Sequence, residues 1–255
     1  MTINADPIWL LAFLLAFVRA GAWLMVVPPF STRQTIPPMA IVGIAGGLAF
    51  LTVPYLAQTA IPTTTPGLLA AVGIQAATGV ALGLSIRILL SAAAAAGSMI
   101  DLFGGLNLPP SLDPLSENQT PLFGQLYEQV AMTLLFITNG EMLLVRGFET
   151  SFTAPGLTLS STSELSTVFI SDLATFFSAT LEIAAPIIIV LFTAQIALAL
   201  LARAAPQVNV WVLGFPIQAM LSLIFAAIAI KVLPGSVANL VDRALQDMSQ
   251  VVSGH

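Results

Sequence analysis

Long apolar runs separated by short polar connectors make up almost the whole chain. Ile8 to Pro28 is the first run, about twenty residues and therefore long enough to span a bilayer as a helix. Pro28-Pro29 ends it, and Ser31 to Pro38 (STRQTIPP) reads as a turn. Met39 to Ile61 is the second run, with Gly43 and Gly47 at a spacing that lets helices approach closely. After a turn at Pro62 to Pro66 comes Gly67 to Met99, longer than one crossing requires. Beyond the central polar stretch, Leu126 to Val145 is the fourth run and contains Asn139-Gly140-Glu141, a triplet foreign to a lipid-facing helix centre. A Ser/Thr-rich connector, Thr153 to Ser166, leads into a fifth helix starting near Ser163 to Ser166, which Pro186 is expected to break or kink before Ile187 to Ala202 continues. Arg203 to Val210 is a tight turn containing Gln207 and Asn209. Trp211 to Leu233 is the last long run, interrupted at Gly214 and Pro216 and closed by Pro234-Gly235. The tail, Ser236 to His255, sets Val237, Leu240, Val241, Leu245 and Met248 at helical spacing, as in an amphipathic helix. The pattern predicts an all-α, membrane-type subunit with about six long apolar helices, some broken at Pro.

The stretch Gly97 to Gln125 departs from this pattern. Gly104-Gly105 and the prolines Pro109, Pro110 and Pro114 exclude a regular helix. Leu106, Leu108, Leu112, Leu115 and Leu122 are spread through it around Asp113, which is unusual for a solvated connector. A loop of this length in a compact protein is commonly functional, so it is read as buried or pore-facing rather than as a surface connector. The chain thus reads as one domain over 1–255, with an N-terminal half (1–104), the central loop (105–125) and a C-terminal half (126–255).

Polar residues inside the runs are placed in rows. Gln75, Gly79, Gly83, Arg87, Ser91 and Ala95 recur at i, i+4 and share a helical face; that face is read as a packing surface holding an Arg. Arg19 lies inside the first run, where a lone guanidinium must face protein or water or reach an interface. Ser171, Asp172, Thr175, Ser178 and Glu182 form a polar stripe, expected to border a lumen, water or polar partners. Arg33 and Arg203 fall on one side of a six-segment layout and Arg146, Lys231 and Arg243 nearer the other, so basic residues assign no orientation.

Composition narrows the classes. The chain has 255 residues, 57% hydrophobic and 7% charged, with mean hydropathy +0.98, against about 25% charged in soluble domains. The net charge of −5 without a basic cluster argues against nucleic acid. Cysteine is absent, which removes disulfides, thiolate metal sites and cysteine catalysis; the only histidine is His255, so metal and His-based general-base chemistry have little to build on, and no cofactor is expected. No basic residue precedes Arg19; the first run is therefore expected to stay in the mature protein.

Four places carry a resemblance: Arg19, Gly21, Pro29-Phe30 and Ile36-Pro37 near the N-terminus; Asp113-Pro114 in the central loop; Asn139-Gly140; and, most specific, Ala185-Pro186 with Leu200, Ala202-Arg203, Pro206-Gln207, Asn209-Val210 and Phe215-Pro216. Over roughly residues 7 to 246 the chain resembles the FliR family of flagellar biosynthetic proteins, the T/R export-gate family of type III secretion. Glu141 stands where the family usually has His, Gln218 replaces a frequent Lys, and Met39-Ala40 lacks the usual basic residue. The resemblance implies a non-enzymatic channel subunit in the bacterial inner membrane at the flagellar basal body. It would contact lipid, assemble with P- and Q-type gate subunits and the B-type export protein, and pass unfolded substrates. The loop Leu106 to Leu122, including Pro109, Pro110, Asp113 and Pro114, would be its plug. The alternative, a secondary transporter with broken helices, should show an internal repeat and clustered ionisable groups; Arg19, Arg87, Glu141 and Glu182 are instead scattered over four segments.

Overall fold

The computed structural model describes residues 7–28, 30–31, 36–59, 61–106, 121–152, 162–207 and 209–253. Among these residues there is no strand, and the regular structure consists of eight helices: α1 (Pro7–Val26), α2 (Pro38–Leu56), α3 (Thr65–Phe103), α4 (Leu122–Ile137), α5 (Gly140–Thr150), α6 (Thr162–Ala204), α7 (Val210–Ala229) and α8 (Leu233–Ser253). The all-α expectation holds. Five helices (α1, α2, α3, α6 and α7) are long and apolar enough to cross a membrane, and α4 with α5 adds a sixth candidate if the bent pair counts as one span.

Prolines open helices here more often than they end them. Pro7 is the first residue of α1, and Pro38 begins α2 after Pro37, held extended at φ −64° and ψ 142°. Proline fits a first turn because its missing N–H has no intrahelical partner there. The same rule corrects one expectation: Pro234 and Gly235 do not close a segment but lie in the first turn of α8.

Two further expectations are corrected. Of the two outcomes expected at Pro186, a break is not found: α6 runs through it for 43 residues. Proline removes one backbone bond, the one to the carbonyl of Glu182 four residues earlier, and the apolar turns on both sides keep theirs. The fourth run is not one helix but α4 and α5, bent by 74° at a short break. Asn139 adopts the left-handed conformation (φ 55°, ψ 29°), one that Asn tolerates better than other residues with a Cβ. Gly43 and Gly47, read as a packing pair, are exposed and have no atom near where a Cβ would sit.

The chain forms two compact units that interleave along the sequence. The first comprises the described parts of Met1–Leu89, Asn139–Leu173 and Leu240–His255. Its core centres on Trp23, stacked on Phe148 at 4.7 Å between centroids, with Phe152 edge-on to Phe148 at 5.3 Å. Leu15, Leu24, Leu82 and Ile86 are fully buried in the same unit. From α8, Leu240, Val241, Ala244 and Met248 are buried on one face, as its amphipathic spacing predicts.

The second unit comprises the described parts of Leu90–Thr138 and Ala174–Asn239. Ile100, Tyr127, Leu135, Ile183, Ile187 and Leu191 are fully buried in it. Tyr127 donates its phenolic hydrogen to the Ala226 carbonyl at 3.1 Å, which satisfies the one polar group this ring carries into the core. The outer faces of both units are apolar: Val42 and Phe50 on α2, Ile189, Phe192 and Ile196 on α6, and Met220, Ile224 and Ile228 on α7 are all exposed. Apolar surface on this scale is covered by lipid or by other helices.

The conformation of Asn139 yields a test. Asn139→Ile puts a β-branched residue at positive φ and should lower stability by about 1–2 kcal/mol. Asn139→Gly should leave it unchanged or slightly raised. Thermal unfolding in detergent measures both.

Candidate functional site

Polar side chains buried between apolar helices are the features of this chain that burial alone does not explain. In the first unit the principal one is Arg19, on α1, with 4% of its surface exposed. Its Nε donates to Gln75 Oε1 on α3 at 2.6 Å. Its Nη1 donates to the Ser151 carbonyl at 2.8 Å and to Ser151 Oγ at 3.2 Å, just past the end of α5. The guanidinium also lies 4.2 Å from the centre of the Phe152 ring, a contact worth about 2 kcal/mol when desolvated. Of the two readings left open for Arg19, facing protein is the one found.

Glycines make this contact possible. A Cβ on Gly79 would strike the Arg19 carbonyl oxygen and come within 3.0 Å of Ala22 Cβ; one on Gly83 would lie 2.9 Å from Val26 Cβ and 3.1 Å from the Trp23 carbonyl oxygen. The backbones of α1 and α3 therefore touch, and Gln75 reaches Arg19 one turn before Gly79. Arg87, placed on the same face from sequence, is exposed within this chain. Each i, i+4 step turns the direction by about 40°, so three steps carry Arg87 some 120° away from Gln75.

The predicted stripe on α6 divides in a similar way. Asp172 is completely buried, Thr175 is half-buried, and Ser178 and Glu182 are exposed. Asn139 is exposed at the α4–α5 break, and Glu141 is half-buried beside it. Arg203, Gln207 and Asn209 are exposed around the turn from α6 to α7, where Asn209 Oδ1 accepts from the Val212 N–H at 3.4 Å.

In the second unit the ends of the central loop are fastened. Leu108, Pro109, Pro110, Leu112, Asp113, Pro114 and Leu115 lie outside the described residues; Leu106 is half-buried and Leu122 is exposed in the first turn of α4. Asp101, fully buried in the last turn of α3, accepts from the N–H of Phe123 at 2.9 Å and of Gly124 at 3.1 Å through one carboxylate oxygen. These amides belong to the first turn of α4, whose N–H groups have no partner within the helix, and the helix dipole favours an anion at that end. Gly97 and Gly124 permit the approach. A Cβ on Gly97 would strike the Phe123 carbonyl and one on Gly124 would lie 2.7 Å from Ser98 Oγ.

The entry to the loop is held as tightly. The Leu106 N–H donates to the Asp101 carbonyl at 3.0 Å, Gln195 Nε2 on α6 donates to the Phe103 carbonyl at 2.8 Å, and Gly105 takes a positive φ of 68°. A cavity of about 320 Å³ adjoins this corner, lined by Gly105, Gln195, Leu198, Phe215 and Gln218 among others. The residues so arranged position a chain segment. Among the described residues no three His, Cys, Asp or Glu come together as a metal-ligand group. Sequence reasoning missed Asp101, Gln195 and the partners of Arg19. A lone acid ahead of Gly104-Gly105 was the only signal for Asp101.

Residues 10–244 match the family described as bacterial export proteins, family 1. The chain is 28% identical over 246 residues to the flagellar biosynthetic protein FliR of Bacillus subtilis, covering 95% of each. It is 30% identical over 212 residues to FliR of Escherichia coli, covering 82% of this chain and 80% of that protein. It is 25% identical over 221 residues to the secretion system apparatus protein SsaT of Salmonella typhimurium, covering 85% of each.

Two outcomes are expected from these contacts. Gly83→Leu should prevent α1 from seating on α3 and reduce the protease-resistant protein in membranes far more than Arg87→Leu, whose parent side chain is exposed; equal losses would refute the packing assignment. Asp101→Ala leaves two amide N–H groups without their acceptor, at about 1–3 kcal/mol, and should lower the unfolding temperature in detergent. Asp101→Asn keeps one acceptor oxygen and should cost less.

Proposed function

Because the chain belongs to the bacterial export proteins, family 1, we propose that it acts as a wall and closing element of a protein-conducting gate, with its central loop as the plug. The chain is a helical, membrane-embedded subunit of the type III export gate. In the finer reading it stands in the bacterial inner membrane at the flagellar basal body. There it assembles with P- and Q-type gate subunits and the B-type export protein, and unfolded proteins pass along it.

The observation that carries the plug reading is the fastening of both loop ends at one place. Asp101 and the first turn of α4 hold the exit, and Gly104-Gly105 with Gln195 hold the entry. A connector that only linked two helices would not need a buried carboxylate at its base. The exposed apolar faces of α2, α6 and α7 supply surface for partner helices and lipid alike. No step of bond chemistry is needed for such a role: closure comes from apolar burial, and opening from displacing the loop.

Replacing Leu108, Leu112 and Leu115 together by Ser tests the reading. Each leucine withdrawn from an apolar contact forfeits about 1.5–3 kcal/mol of burial. The expected result is normal co-purification with P- and Q-type subunits and leakage of small ions or dyes through cells making the variant. Normal assembly without leakage would sink the plug; failure to assemble would make the loop part of the structural core.

A further inference from the structure

In the first unit α3 leaves one narrow face uncovered. Over residues 73–89 its exposed positions are Gly73, Ala77, Val80, Leu84 and Arg87; from Thr78 to Leu89 all others are buried except half-buried Ile88. The steps between the exposed positions are four, three, four and three residues. Their mean, about 3.5, is the repeat at which a helix laid alongside stays in register. With one open position per turn, the strip is narrow enough for a single helix to fill. On the adjoining flank α1 covers α3 at Gly79 and Gly83.

The strip changes character along its length. At one end no atom lies within 4 Å of where a Cβ on Gly73 would stand, so a neighbouring backbone can come close there. Val80 and Leu84 follow, and Arg87 ends it. Arg87 is the only charged residue from Thr65 to Ile100, and among the described residues it makes no hydrogen bond, ion pair or ring contact. It stands about 33 Å from the start of α3 and about 24 Å from its end. Apolar helix continues on either side of it for longer than half a bilayer core, about 15 Å, so headgroup phosphates are not its natural partner. A guanidinium among apolar positions requires an anion or water, and acyl chains offer neither. Val80 and Leu84, in line with it, do not suit a wetted face.

We propose that this strip seats a helix of another gate subunit, apolar along most of its length and carrying one Asp or Glu that pairs with Arg87. The proposal rests on the gate reading above and names a contact by which the chain joins its partners. From Gly73 to Arg87 the seat is about 21 Å long. Gly73 and Ala77 leave room for bulkier residues of the incoming helix, and the guanidinium fork takes its carboxylate through two parallel N–H···O bonds. Together the two charges compensate each other; apart, each is left against apolar surface. The pair therefore selects its partner, because a helix with no acid at that level leaves the guanidinium uncompensated.

The full chain is produced together with the P- and Q-type subunits, and the complex is isolated in detergent. Arg87→Glu should lower the ratio of partner to chain about tenfold or more, because like charges then face each other. The unfolding temperature of the same variant purified alone should stay within about 2 °C of the parent. Ala77→Trp, which fills the other end of the seat and leaves the charge intact, should lower the ratio as well. With Leu84 replaced by photoactivated benzoylphenylalanine, the chain should cross-link to one partner helix that holds an Asp or Glu within about one turn of the joined residue. Changing that acid to Arg should bring Arg87→Glu back to within about threefold of the parent ratio. Parent-like assembly of Arg87→Glu, or its unfolding when alone, would overturn the proposal. So would a cross-link from position 84 to lipid only or to a second copy of this chain. In this chain without native cysteine, ready labelling of Leu84→Cys by a water-soluble maleimide in the assembled complex would overturn it too, since the strip would then face water. A parent chain that joins no P- or Q-type subunit would overturn the gate reading itself, and this proposal with it; the other outcomes overturn this proposal alone.

Discussion

A guanidinium taken out of water must replace every hydrogen bond it gives up, and the first unit is built around doing so for Arg19. Its partners come from three places in the chain: the amide of Gln75, the carbonyl and hydroxyl of Ser151, and the face of Phe152. Hydrogen bonds to a charged group contribute about 1.5–3 kcal/mol each, but only while α1, α3 and the end of α5 stay in register. The glycines of α3 and the stacked rings of Trp23 and Phe148 follow from that demand. Without close backbones Gln75 could not reach, and without the aromatic floor the charge would have no apolar shielding. These partners are neutral, so the positive charge is solvated by dipoles, which keeps a like-sized anion from having to be buried as well.

The second unit solves a related problem with the opposite sign. The N-terminus of α4 exposes unpaired amides inside an apolar core, and Asp101 answers with a carboxylate. Cation in one unit and anion in the other are each matched to backbone or amide dipoles. Both lie where helices exchange close contacts through glycine: Gly79 and Gly83 in the first, Gly97 and Gly124 in the second. Small residues and buried charges thus occur together, because a short polar reach requires close backbones.

How much of this was legible depends on range. Segment number and helical type follow from run length, since about twenty apolar residues are what a crossing needs, and the amphipathic α8 follows from its spacing. Local rules applied alone misled at Pro186, where apolar helix on both sides outweighs one missing bond, and at Arg87, where an i, i+4 row was extended further than a helix of 3.6 residues per turn allows. The triplet at Asn139 was visibly foreign, yet the bend it makes is a property of backbone torsion that composition does not encode. The partners of Arg19 lie 56 and 132 residues away, and those of Asp101 lie 22 and 23 away. At such separations no spacing identifies a pair. Both residues could be seen to be costly alone, but not where the compensation came from.

The fastened ends of residues 107–120 carry a consequence for how the segment between them can vary. Closing a loop costs entropy, and most of that cost depends on bringing the ends together, while length enters only logarithmically: each doubling adds about 0.6 kcal/mol. With α3 and α4 already joined through Asp101, Gly97 and Gly124, insertions or deletions between the ends barely change the free energy of folding. The length and bulk of that segment are therefore free to vary independently of the stability of the helices that hold it.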